Sequence, residues 1–242
     1  MGAIKSAIGD AILTSMWVFS LPFLGISSSI IATYFQIEPK STLSLLITIN
    51  LATLLYLIFS LMGAALGGAS FNPATTLTVH AAGVKPDSSL LSMAVRFPAQ
   101  AAGGVGGALA ILELMPEKYK HVLKGPSLKA DLHTGAVAEG VLSFVVCFCF
   151  LVIMFKGPKN FLVKLWLLAC VITGLVITGG KYTGPAMNPA NAYGWAFVNN
   201  WHNSWELFYV YWIGPFIGAV LSAWVYRFLF KPAAVSTKKK QA

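Results

Sequence analysis

The sequence predicts an all-α membrane protein with six transmembrane helices and two re-entrant half-helices, its halves related as an inverted repeat. Three observations carry this prediction. Of 242 residues, 57% are hydrophobic and only 10% charged, and the mean hydropathy is +0.72, far from the mixture of a soluble domain. Six apolar stretches are long enough to cross a bilayer as helices, at about 8–33, 42–62, 88–112, 133–155, 161–178 and 207–230. Two shorter apolar stretches open on one tripeptide, Asn72-Pro73-Ala74 and Asn188-Pro189-Ala190. Neither reaches spanning length alone.

A single Asn-Pro-Ala is an ordinary helix start, because asparagine is a favoured N-cap and proline a favoured first helical residue. Two copies, each inside an apolar run, change the odds. Two spans precede the first copy and five precede the second, so the interrupted segments enter the membrane from opposite faces. That is the arrangement of inverted repeats with a central permeation or binding site. The whole chain reads as one domain, with a first repeat at about 1–114, a second at about 130–232 and a basic tail at 233–242.

In chain order, Asp10 opens the first span with Thr14 four residues on, and Glu139 and Ser143 repeat that spacing in the fourth. A carboxylate in a membrane helix is costly unless it is paired or caps something. Each is expected to accept hydrogen bonds from the non-helical backbone before one Asn-Pro-Ala turn, where amides would otherwise lack partners. Gly63, Gly67 and Gly68 end the second span and permit the bend back into the membrane. His80 near the end of the first half-helix reads as an exposed end-of-helix residue ahead of a pH gate. In the third span, Gly103 and Gly107 are a helix-packing face, while Gln100 either bonds a neighbour or lines a pore. The connection 115–132 is the longest and extramembranous. Trp201, Trp205, Tyr209 and Trp212 form an interfacial aromatic belt. Cys147, Cys149 and Cys170 all fall within spans and read as packing residues, not a disulfide or metal site.

The net charge of +9 is dispersed through loops and tail, which excludes a nucleic-acid surface. Lys5, Lys85, Lys156, Lys159, Lys164, Arg227, Lys231, Lys238, Lys239 and Lys240 share a side with both termini, against six lysines opposite. The positive-inside rule therefore places the termini in the cytoplasm. Lys239 and Lys240, fourth and third from the end, match the dilysine pattern of endoplasmic-reticulum retrieval, with a solvated basic tail as the plainer reading.

Two half-helices of about ten residues, each about 15 Å long, together cover the roughly 30 Å hydrocarbon core. Their N-termini meet at midplane, bringing together two positive dipole ends and the amides of Asn72 and Asn188. An uncharged amide donor holds the oxygen of a passing water, and the dipole ends repel hydronium and cations. Such a site suits small neutral hydroxylated molecules in single file. No activated nucleophile, metal-ligand set, phosphate loop or cofactor motif competes with it, which excludes an enzyme reading.

The twin Asn-Pro-Ala, Asp10 and Glu139, Pro98-Ala99-Gln100 and Tyr211-Trp212-Ile213-Gly214-Pro215 together resemble the aquaporin, or major intrinsic protein, family over almost the whole chain. The resemblance implies an hourglass pore in each subunit and a homotetramer in the lipid bilayer. The basic character, short N-terminus, Lys181-Tyr182-Thr183-Gly184-Pro185 and lysine tail resemble the plant small basic intrinsic proteins, which implies the endoplasmic-reticulum membrane. Ala74 keeps the standard first motif. Where water-selective aquaporins carry a filter arginine, the chain has Asn191. Matching the other filter positions gives Pro185, Val176 and either Ala52 or Leu55, a neutral and largely apolar set. Water is the expected cargo, with glycerol, hydrogen peroxide or another small neutral solute harder to exclude. The rival readings are a low-conductance scaffold with a channel fold and a secondary transporter.

Overall fold

The apolar stretches become helices because lipid offers no partner to backbone amides, and a helix satisfies nearly all of them within one segment. The computed structural model describes residues 2–85 and 89–230. Six spans cross: α1 (Ala3–Tyr34), α2 (Thr42–Ala65), α4 (Leu90–Leu114), α6 (Leu132–Lys156), α7 (Phe161–Gly179) and a sixth, Trp205–Phe230. The half-helices are α3 (Pro73–Ala81) and α8 (Pro189–Val198), and a short α5 (Glu117–Lys120) sits in the long connection. The sixth span starts as α9 (Trp205–Phe208), passes through a π turn at Tyr209–Ile213 and continues as α10 (Gly214–Phe230). The six spans and two half-helices of the sequence reading are present, with ends shifted by a few residues.

Most of the long helices start on a polar side-chain cap. Ser41, Ser89, Asn160 and Ser204 each accept from a first-turn amide. Asp131 caps α6 by accepting from His133 and Thr134, and the bonds from Thr134 hold its carboxyl below the usual carboxylate range. Pro22 and Pro98 lie inside α1 and α4, as membrane helices tolerate when neighbours restore the freed backbone partners.

Packing repeats between the halves. The most extensive helix pairs are α1 with α4 and α6 with α10. A methyl on Gly103 or Gly107 would collide with the carbonyl oxygen of Ala11 or Ser15 on α1, and one on Gly218 with that of Gly140 on α6. Backbones touch at these points because no side chain stands between them. The half-helices cross over: α8 packs on α4 of the first half, and α3 packs on α10 of the second. Gly104 and Gly194 make the first of these contacts.

The aromatic belt is only partly interfacial. Trp205 is exposed and stacked on Tyr209 at 5.4 Å, whereas Trp201 and Trp212 pack toward the cluster around the fully buried Tyr211. The π turn shifts the helical phase at Trp212, and Trp201 lies in the connection before α9, so helical spacing alone does not predict which rings turn inward.

Adjacent glycines provide a test of the packing. Gly107→Ala should cost about 1–3 kcal/mol by overpacking against α1. Gly106→Ala, whose new methyl would meet only Ser15 Oγ at 3.5 Å, should lie within about 0.5 kcal/mol of the parent. Thermal unfolding in detergent reads both, and equal midpoints would contradict the packing described.

Candidate functional site

The site is built on two stretches of non-helical backbone at membrane depth. After α2, Gly67 (φ 75°) and Gly68 (φ 82°) turn the chain through the left-handed region, and Gly63 O accepts from both Gly68 N and Ala69 N. Ser70 N then donates to Asp10 Oδ1 at 2.8 Å. Asp10 is fully buried and also takes a two-pronged contact from Arg96, Nε to Oδ2 at 2.6 Å and Nη2 to Oδ1 at 2.8 Å. Gln100 Nε2 donates to Asp10 Oδ2 at 2.7 Å and reaches Ser70 O and Thr76 Oγ1. Gln100 thus bonds neighbours and stays out of the cavity wall.

The second stretch, between α7 and α8, is held differently. Glu139 Oε1 accepts from Thr183 Oγ1 at 2.7 Å and Ala186 N at 2.9 Å, and Oε2 accepts from Met187 N at 3.0 Å. Met187 sits at φ 46°, where a side chain is strained, and the hydrogen bond its N–H donates to Glu139 helps hold it there. Thr183 O accepts from Tyr211 OH and from Ser127 N of the long connection. Among the described residues no cation pairs with Glu139. The hydroxyls at matched spacing do not reach the carboxylate oxygens: Thr14 donates to its own helix at Asp10 O, and Ser143 Oγ has no partner.

The two stretches meet at the asparagines. Asn72 Oδ1 caps α3 by accepting from Ala74 N, and Asn188 Oδ1 caps α8 by accepting from Ala190 N and Asn191 N. Their amide nitrogens cross: Asn72 Nδ2 donates to Met187 O at 2.9 Å and Asn188 Nδ2 to Phe71 O at 3.0 Å. Each amide has two hydrogens, so each keeps one beyond the crossed bond. Pro73 and Pro189 occupy the first helical position of α3 and α8, where a missing N–H costs nothing. Ala74 and Ala190 are fully buried, Ala74 beside Cys147 and Ala219, Ala190 against Gly104.

Asn72 and Asn188 line a cavity of about 570 Å³. Val176, Pro185 and Asn191 are also in its wall, and Asn191 Oδ1 has no partner. On α2, neither Ala52 nor Leu55 lines the cavity. Ala52 is buried, Leu55 packs on the cluster of Trp17 and Phe59, and Tyr56, one turn from Ala52, supplies the wall instead. A ring fills the space an alanine methyl does not reach.

Sequence reasoning missed the aromatic wall and the cation. Trp17 stacks on Phe71 at 4.1 Å, meets Phe59 edge-on at 5.1 Å and stacks on Tyr56 at 5.4 Å, all four lining the cavity. Trp17 stands seven residues after Asp10 as Val146 does after Glu139, and Val146 is also in the wall. Two helical turns on one face was the available signal. Arg96 stands four residues before Gln100, so the shared face of α4 was likewise readable.

The two carboxylates should differ in substitution. Asp10→Asn strands the buried Arg96 guanidinium and should cost about 3–5 kcal/mol. Glu139→Gln strands no cation but replaces one accepting oxygen with an NH2 donor that faces the backbone or hydroxyl donors, a cost of about 1–3 kcal/mol. Thermal denaturation in detergent should rank them in that order, and the reverse order would contradict the assignment.

The family model described as major intrinsic protein matches residues 1–226. The chain is 54% identical to Aquaporin SIP1-1 of Oryza sativa subsp. japonica, covering 100% of this chain and 99% of that protein. It is 45% identical to Aquaporin SIP1-1 of Arabidopsis thaliana, covering 100% and 99%. An X-ray structure of the aquaglyceroporin from Plasmodium falciparum shares the fold, with TM-score 0.68 at 21% identity over 93% of this chain and 96% of that one. With one family model spanning nearly all of it and plant aquaporins aligned end to end, the chain belongs to the major intrinsic protein family, whose members are membrane channels and not enzymes.

Proposed function

We propose that the chain is a passive channel for water and other small neutral solutes, which pass in single file the N-termini of α3 and α8. The observation that carries this is the crossed asparagine pair, with one amide hydrogen of each residue left over at the wall of the cavity. A water whose oxygen accepts from Asn72 and Asn188 has both hydrogens turned away from the half-helices, which interrupts a proton-conducting chain. The two helix dipoles disfavour cations at the same point.

Along the rest of the path, Val176 and Pro185 offer no polar side chain, and Asn191 carries no charge. Trp17, Tyr56, Phe59 and Phe71 add an apolar wall. That combination supports passage of hydroxylated carbon compounds beside water. The buried carboxylates support a channel over a coupled transporter, since every oxygen of Asp10 and Glu139 already accepts from protein donors. We assign the chain to the endoplasmic-reticulum membrane as a homotetramer with cytoplasmic termini. Lys5, Lys85, Lys156, Lys159, Lys164 and Arg227 on the terminal side support that orientation. Lys239 and Lys240, the retrieval signal in this reading, lie outside the described residues.

Proteoliposomes test the conduction. Osmotic shrinkage should be faster than in empty vesicles; equal rates with folded protein would leave a scaffold with a channel fold. Asn191→Arg should lower the glycerol-to-water permeability ratio by about tenfold, on the scale of one charged filter contact. An unchanged ratio would remove Asn191 from the filter. Replacing Lys239 and Lys240 with serine should release the protein to later compartments, and continued reticulum residence would mean that another signal acts.

A further inference from the structure

A groove of about 710 Å³ runs between α1 and the connection that carries α5. Its α1 side is Leu21, Pro22, Gly25, Ile26 and Ile30, and facing them stand Lys118, Tyr119, His121 and Val122. The facing wall is anchored, since Tyr119 packs on the cluster of Ile26, Met115 and Trp195. Gly25 keeps the groove open, because a Cβ there would meet nothing within 4 Å.

Depth divides this groove in two. Trp17, stacked on Phe71 at 4.1 Å, marks on α1 the level of the asparagines. At 1.5 Å per residue Leu21 lies about 6 Å beyond that level and Ile30 about 20 Å beyond it, whereas half the hydrocarbon core is about 15 Å. The Leu21 end therefore stands among lipid tails and the Ile30 end among headgroups.

The chemistry changes over the same distance. The deep end is Leu21, Pro22 and Gly25, and the shallow end adds Ser29, Lys118 and His121, all three exposed. The one acid of α5, Glu117, is paired with Lys120 at 2.9 Å. Lys118 lies over the Tyr119 ring at 4.6 Å and makes no ion pair among the described residues. An apolar slot thus opens into a positive mouth whose charge is not compensated. Another groove, of about 320 Å³ between α6 and the sixth span, has no charged residue in its wall.

We propose that the groove between α1 and α5 holds one anionic phospholipid of the leaflet opposite the termini, with an acyl chain along Leu21 and Gly25 and the phosphate at Lys118 and His121. Lysine at a membrane surface attracts anionic headgroups, and neutral imidazole has a ring N–H to donate to a phosphate oxygen in either tautomer. A zwitterionic lipid fills the apolar slot equally well, so a preference for negative charge reads the mouth alone. The inference goes beyond conduction and does not depend on the cargo.

The test is native mass spectrometry of the full chain in mild detergent with equimolar phosphatidylserine and phosphatidylcholine. The parent should retain phosphatidylserine over phosphatidylcholine by about fivefold, the scale of one lysine at an anionic surface. Lys118→Ala combined with His121→Ala should bring that ratio close to one, and Lys159→Ala, on the side of the termini, should leave it unchanged. Gly25→Leu, which fills the slot, should lower retention of both lipids without changing the oligomeric mass. Equal retention of the two lipids by the parent, a ratio unmoved by the double variant, or an equal fall in Lys159→Ala would overturn the inference. A Gly25→Leu chain that loses oligomeric mass and keeps its lipid would place a second copy in the groove and overturn it too. If Gly25→Leu fails to fold, the double variant, whose altered side chains are exposed, decides.

Discussion

Everything at the centre of this molecule depends on one constraint: backbone amides that leave a helix inside a membrane must find partners from the protein itself. The chain breaks its helices twice at that depth, and each break exposes amides that only protein groups can satisfy. Asp10 and Glu139 take the amides before each turn, Asn72 and Asn188 take those after it, and the asparagine nitrogens close the carbonyls of the opposite turn. The asparagines that line the cavity also make its irregular backbone tolerable. The cavity wall and the fold therefore draw on one set of hydrogen bonds.

The two halves solve this constraint with different chemistry. In the first, the supporting carboxylate is neutralised by Arg96 and Gln100, and two glycines with positive φ let the chain turn. In the second, three uncharged donors surround Glu139, and strain falls on Met187. The first turn is fixed chiefly by charge, the second by a convergence of loops, with Thr183 tied to Tyr211 and to the 127–129 connection. Inverted repeats share topology without sharing the means of stabilising it.

Much of this was legible in the residues. Span count, half-helices and their meeting point follow from hydropathy and a repeated tripeptide, because those properties are local. The carboxylate at residue 10 was legible as a support since a charge at that depth must be used. What escaped was whatever depends on which face of a helix turns inward. Ala52 or Leu55 is the filter position that the family resemblance implies on α2, yet Tyr56 reaches the cavity. A one-turn ambiguity places residues three or four apart on nearly the same face, and side-chain length then decides which arrives. Trp212 packs inward from within a π turn that shifts the helical phase, and Trp201 from the connection before the helix, neither of which a pattern of apolar residues announces.

The crossed seating of the half-helices has a consequence for biosynthesis. Thr78 of α3 donates to Ala219 of α10, a partner 141 positions later, while α8 rests on α4, which is made long before it. The first half-helix leaves the ribosome without its seat and must wait for nearly the whole chain to be inserted. The second finds its seat ready. The cavity at the asparagines is thus the last feature to be completed, and a nascent chain stalled before α10 is a bundle of membrane helices in which α3 has no seat.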